Sequence, residues 1–129
     1  MKIIITGAAG FIGSRLCLEL IKNPNNKVYG IDSLDSYYSI KLKKKRLIEL
    51  ERKKNFKFIK LDLKNNKKFK KLEKLKNIDT IFHFAAQAGV RFAISKPKKY
   101  FNDNVIMFFN VINFARKKRI KKIFFASSS

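Results

Sequence analysis

The opening Met1-Lys2-Ile3-Ile4-Ile5 runs into Thr6-Gly7-Ala8-Ala9-Gly10-Phe11-Ile12-Gly13, where glycines recur at every third position and an apolar-periodic segment follows at once. A short apolar run closed by glycine predicts a strand buried on both faces. The glycines then turn the chain into a helix. Gly7 permits the tight turn, Gly10 lets backbone approach a pyrophosphate, and Gly13 lets helix and sheet pack closely. The start of such a helix carries unpaired N–H groups and a partial positive charge, so a diphosphate is its natural ligand.

A glycine triplet alone also marks ordinary turns. Here a second apolar strand, Lys27 to Ile31, ends in Asp32, at the distance past the glycines where a dinucleotide fold places its ribose-binding acid. A carboxylate there accepts hydrogen bonds from both ribose hydroxyls and repels a 2′-phosphate, which favours NAD over NADP.

At 129 residues the chain is expected to form one domain. It holds no run long enough to span a membrane, and no leader is expected, since Met1-Lys2 enters the first strand directly. The one cysteine, Cys17, stands near Ile12, Leu16 and Leu20 and is expected to be a small buried hydrophobe, which fits a cytoplasmic protein. Lys and Arg number 31 against 9 acids, for a net charge of +22, and the cations come in runs at 41–46, 67–71 and 116–122. Such a sum attracts nucleic acid at low salt. The cations are mostly lysines beside apolar helix positions, without interleaved stacking aromatics, so no nucleic-acid partner is expected. No metal site is expected either. His83 lies between Phe82 and Phe84 in an apolar strand and is expected to be a packing residue rather than a base or ligand.

Further elements follow in alternation. Helices are expected over about Gly10 to Ile21 and from after the polar loop 33–39 to about Lys53, and helical spacing marks Phe69, Leu72 and Leu75. Strands are expected at Phe56 to Leu61, Asp79 to Phe84 and Lys122 to Ala126, with a small-residue loop at 85–89. Phe101, Val105, Phe108, Ile112 and Ala115 recur at helical steps and are expected to form one continuous buried face. Five strands alternating with helical connections give a doubly wound parallel α/β sheet of order 3-2-1-4-5. In such sheets ligands bind beyond the carboxyl ends of the strands, where all the polar candidates fall.

With these residues in view, the chain resembles the N-terminal half of an extended short-chain dehydrogenase/reductase, in the NAD-dependent nucleotide-sugar epimerase/dehydratase family. TGAAGFIGS resembles the family's glycine motif, IDSLD the end of its second strand, LDL its adenine-side acid, FHFAA its fourth strand, NDNV the helix segment with a supporting asparagine, and FFASSS the strand that delivers the catalytic serine or threonine. The segments AAQAGVR and DSYYSIKLKKKRL resemble the UDP-glucuronate 4-epimerase branch.

The resemblance implies a Rossmann-type domain over residues 1–129, lacking the rest of the sheet and the substrate domain. It implies NAD as cofactor, held by Gly7, Ala9, Gly10, Phe11, Ile12, Gly13, Asp32, Ser33, Asp62, Leu63, Phe84, Ala85, Ala86 and Asn104. It implies a UDP-sugar substrate meeting Gln87, Gly89, Val90 and Arg91. Arg91 suits a carboxylate or diphosphate, and is equally well explained as one solvated cation among many. The implied activity is C4 epimerisation by transient oxidation and hydride return, with a tyrosine base and a Ser or Thr donor. Ser128 is the donor candidate, with Ser127 and Ser129 as alternates. The family's Tyr-x-x-x-Lys pair lies past the fifth strand, so residues 1–129 are expected to be a fragment that is inactive alone. Tyr37 and Tyr38 are expected to line the nucleotide pocket, neither serving as base. The intact enzyme is expected to be a homodimer. Alternatives are another nucleotide-sugar epimerase or dehydratase, a non-catalytic dinucleotide-binding module and, last, a basic nucleic-acid-binding protein.

Overall fold

The computed structural model describes residues 1–127. Five parallel strands, β1 (Lys2–Thr6), β2 (Lys27–Asp32), β3 (Phe56–Lys60), β4 (Thr80–His83) and β5 (Lys122–Phe125), form one sheet in the order β3-β2-β1-β4-β5. The chain starts at the centre, winds outward to β3, and returns past β1 to β4 and β5. The reversal of direction falls between β1 and β4, where such sheets open a crevice at the carboxyl ends of their strands.

Side chains of β1 alternate between two layers. Ile3 and Ile5 face a cluster with Val28, Cys17, Ile21, Leu47 and Leu50, which belongs to α1 (Phe11–Leu20) and α2 (Ile40–Glu51). Ile4 faces the other layer, with Ile31, Ile81, Leu72, Met107, Val111 and Phe114. All three isoleucines are at most 1% exposed, and burying each contributes about 1.5–3 kcal/mol. That double burial is why β1 reads as an unbroken apolar run. Cys17 lies fully buried in the α1 layer, where burial pushes its thiol up to about 12.

The region 66–75 holds less helix than its spacing suggests: a 3₁₀ turn at Asn66–Phe69 and a single turn, α3 (Lys70–Glu73). The other departure concerns the helical segment before β5. It is built from α4 (Val90–Ser95), α5 (Pro97–Phe101), a wide π turn at Asn102–Ile106 and α6 (Met107–Lys117). The expected buried face is largely the outer one: Phe101, Val105 and Ile112 are 52%, 50% and 42% exposed, with Phe109 beside them at 59%. Met107, Asn110, Val111, Phe114 and Ala115 meet the sheet instead. The helix has apolar residues on two sides, and the π turn shifts the phase between them, so a period cannot say which side meets the strands.

Candidate functional site

The turn after β1 brings backbone segments into close approach. Gly7 has φ +70°, and a Cβ there would stand 2.8 Å from the backbone of Phe84 and Ala85. A Cβ on Gly13 would stand 2.2 Å from the Gly7 carbonyl oxygen. Both positions therefore require glycine. The turn is held by Gly10 N–H donating to Gly7 O at 2.9 Å, and Ala8 N–H donating to Ile31 O at 3.1 Å. Among the described residues no side chain caps α1, so its first amides face the crevice without a protein partner from that source.

Asp32, buried at the end of β2, ties the neighbouring turn together. Its Oδ2 accepts the Ala9 N–H at 3.1 Å and its Oδ1 accepts the Leu34 N–H at 2.8 Å. Leu34 is thereby held at φ 59°, a left-handed conformation that costs a leucine about 1–2 kcal/mol. Strain of this kind persists where surrounding bonds over-determine the backbone. Lys43 Nζ stands 3.8 Å from Asp32 Oδ1.

Behind the turn, Thr6 Oγ1 accepts the Ala85 N–H at 3.2 Å and lies 2.7 Å from His83 Nδ1. Its own proton then goes to Nδ1, leaving the ring as the neutral Nε2–H form. The imidazole stacks on Phe108, and burial lowers its pKa from 6.5 to about 4. His83 thus links β1 to the loop after β4 as a packed neutral group. Asn104 holds the next part of that loop: its Oδ1 accepts the Gln87 N–H at 3.0 Å and its Nδ2 donates to Gln87 O at 3.2 Å.

These elements enclose a cleft of about 980 Å³. Its walls are Gly7, Gly10, Phe11, Ile12 and Gly13 below, Asp32, Ser33, Lys43 and Arg46 at one end, Asp62 and Leu63 beside them, and Phe84 to Ala88 with Ala126 at the other. A cleft of this size accommodates a dinucleotide, and the glycine cradle, where a Cβ would meet backbone, fits a diphosphate against the helix start. One rim carries a charge cluster. Buried Asp103 accepts from Lys64 at 2.5 Å and from Lys99, while Lys64 also faces Asp62 at 3.7 Å and Lys99 faces Asp35 at 3.7 Å. Despite the opposing cost of burial, the two lysine bonds hold the Asp103 carboxyl below its usual range.

The "NAD dependent epimerase/dehydratase family" profile matches residues 3–129. The chain belongs to this family. Among its relatives, Protein CapI of Staphylococcus aureus is 42% identical over 129 residues, covering 100% of this chain and 38% of that protein. A UDP-glucuronate 4-epimerase of Thermodesulfobacterium geofontis is 36% identical over 126 residues, covering 98% of this chain and 39% of its own length. The crystal structure of UDP-glucuronic acid 4-epimerase from Bacillus cereus in complex with UDP-glucuronic acid and NAD superposes with a TM-score of 0.86 at 34% identity, covering 100% of this chain and 40% of that one. The chain therefore spans about 40% of the length of such epimerase-family relatives.

Against this family framework, most candidate residues from the sequence meet in one place. Gly7, Gly10, Phe11, Ile12, Gly13, Asp32, Ser33, Asp62, Leu63, Phe84, Ala85, Ala86 and Gln87 all line the cleft. Ala9 and Asn104 stand behind the wall, bonded to Asp32 and Gln87. Gly89, Val90 and Arg91 are exposed at the start of α4, outside the wall. Ser127 follows Ala126 at the end of the fifth strand, whereas Ser128 and Ser129 lie outside the described residues. A Tyr-x-x-x-Lys spacing does occur within the chain, at Tyr37 and Lys41, contrary to expectation. Its tyrosine is in the loop and its lysine in the exposed first turn of α2, so the two do not share a helix face as a one-turn pair would.

The sequence reading missed Lys43, Arg46 and Asp103. Lys43 and Arg46 are three residues apart on α2 and so share a face, but they sit inside the basic run 41–46, where charge alone separates none of its members.

Proposed function

We propose that the chain is the NAD-binding part of a nucleotide-sugar 4-epimerase acting on UDP-glucuronate. The observation that carries this is the juxtaposition, in one cleft, of a glycine cradle, uncapped helix amides and the buried carboxylate of Asp32. The α1 amides hold the diphosphate, Asp32 accepts from the adenosine ribose, and Asp62 with Leu63 borders the adenine. Phe84 to Ala86 border the nicotinamide half. The dinucleotide, when bound, supplies hydride acceptance and return at sugar C4. A serine at the end of β5, Ser128 or a neighbour, bonds the reacting oxygen so that a donor is in place as charge develops there. Gln87 and the loop beyond it, through Gly89 and Val90 to Arg91, border the sugar nucleotide. UDP-glucuronate rather than another UDP-sugar is favoured by AAQAGVR and by the relatives' printed activities.

Residues 1–129 form one domain that binds dinucleotide but does not epimerise by itself, because the tyrosine base belongs to a segment past β5. The exposed stripe Phe101, Val105, Phe109 and Ile112 supports a homodimer packed through α6 in the whole enzyme. Among the described residues no helix is long and apolar enough to cross a membrane, and the buried free thiol of Cys17 suits the cytoplasm. The test is two-part: NADH fluorescence should change on saturable binding to residues 1–129, and UDP-glucuronate should show no turnover. Absence of NADH binding defeats the cofactor assignment, and turnover defeats the assignment of the base.

A further inference from the structure

The ribose end of the cleft carries more than the acid that reads ribose hydroxyls, and the role of its other groups rests on the dinucleotide assignment. A lone carboxylate at the end of β2 excludes a 2′-phosphate by repulsion, whereas a nearby cation accommodates one. Asp32 is not alone. Lys43 Nζ lies 3.8 Å from its Oδ1, and the lysine side chain is only 11% exposed. The same ammonium donates to the Asp35 carbonyl at 3.0 Å, which fixes it beside the carboxylate instead of leaving it on a mobile stem. One turn on, Arg46 donates to the Ala9 carbonyl at 3.2 Å, and its guanidinium carbon stands 5.9 Å from the centre of the Phe11 ring. Both cations line the cleft with Asp32 and Ser33.

The local balance is thus two fixed positive groups to one carboxylate. Asp32 also has both oxygens engaged by backbone amides, Ala9 on one and Leu34 on the other. An ammonium has three donors and a guanidinium five, so each cation can reach a further acceptor while keeping its backbone bond. A phosphate monoester dianion is the acceptor that best matches such a pair.

We propose that Lys43, supported by Arg46, is a specificity-determining residue that admits a 2′-phosphorylated dinucleotide, so NADP(H) enters the same cleft as NAD(H). Lys43 offsets the charge of Asp32, and the two cations together take the 2′-phosphate. The carboxylate still serves the unphosphorylated ribose. Discrimination between the two cofactors is therefore shallow in this chain.

The test is direct titration of residues 1–129 with NADH and with NADPH, read by fluorescence, in parallel with Lys43→Met, Lys43→Arg and Lys45→Met. Lys45 is an exposed lysine of the same helix, so its variant removes an equal amount of net charge away from the cleft. The expected dissociation constants of the unaltered chain lie within about tenfold of each other, one charge-assisted hydrogen bond being worth about that factor. Lys43→Met should raise the NADPH-to-NADH ratio by about tenfold or more, Lys43→Arg should keep it low, and Lys45→Met should leave it unchanged.

A ratio above about a hundredfold in the unaltered chain overturns the proposal without recourse to any variant. An equal ratio for Lys43→Met and Lys45→Met overturns it as well, by showing that only overall charge acts. If NADH binds and NADPH does not, this inference fails and the NAD assignment stands. If neither binds, the NAD assignment fails and takes the inference with it. Circular dichroism on each variant establishes that the fold is intact, and Lys43→Gln replaces Lys43→Met should the latter unfold.

Discussion

Acid should weaken the fold through His83 in a pH window where few other groups titrate. The ring is 7% exposed, lies 2.7 Å from the Thr6 hydroxyl and stacks on Phe108, and burial lowers its pKa from 6.5 to about 4. The unfolded chain takes up a proton near 6.5, while the folded chain refuses it until about 4. Between those values the unfolded state binds more protons, so stability rises with pH. The contribution is complete above the upper value, falls as pH drops through the window, and is flat below the lower one. At 1.36 kcal/mol per unit the whole window amounts to about 3 kcal/mol, of which about 1.4 is lost by about pH 5.5. The assay is urea unfolding from about pH 8 to about pH 4.5, with His83→Asn as the reference, since asparagine retains an acceptor for the Thr6 proton and does not titrate. The unaltered chain should lose stability steadily below about pH 6.5 and the variant should lose distinctly less. Parallel curves for the two proteins mean that His83 is not a buried neutral group.

Three other outcomes follow from the same structure. Gly13→Ala places a Cβ 2.2 Å from the Gly7 carbonyl oxygen, so it should lower stability by about 1–3 kcal/mol and abolish NADH binding, as read by thermal melting and fluorescence. Asp103→Asn leaves Lys64 and Lys99 facing each other and should cost about 2 kcal/mol in urea unfolding at neutral pH, the partners being partly exposed. In the unaltered chain, that contribution is lost as pH falls below the ordinary carboxylate value of 3.8, because the folded pKa lies beneath it. Phe109→Lys should turn any dimer into a monomer in sedimentation without lowering the melting temperature of the monomer, since Phe109 is 59% exposed.

The parts legible in the sequence are those whose cause is local. Ile3 to Ile5, the turn at Gly7 and the helix start are dictated by burial and by backbone geometry within a few residues, and Asp32 is marked by its place at the end of the next strand. The order of the strands follows from alternation and crossover handedness. The inward face of α6 is not legible, because Phe101, Val105 and Ile112 share a period with residues that do pack inward, and the intervening π turn leaves no mark in the pattern. Lys43 is hidden for the converse reason. Its role comes from distance to Asp32 and to the Asp35 carbonyl across the β2–α2 loop, which a run rich in lysine does not reveal. Asn104 illustrates a middle case, a family motif whose local effect, two bonds to Gln87, appears only when helix and loop are seen together.

Amide chemical-shift mapping by NMR with NAD added to residues 1–129 tests the cleft most directly, because it separates a specific site from diffuse attraction to a chain of charge +22. The largest shifts are predicted at 7–13, 32–34, 62–63 and 84–87, with saturation at one equivalent. Shifts spread instead over the lysine-rich outer faces of α2 and α6, without saturation and abolished by moderate salt, would mean that the helix start does not hold a diphosphate.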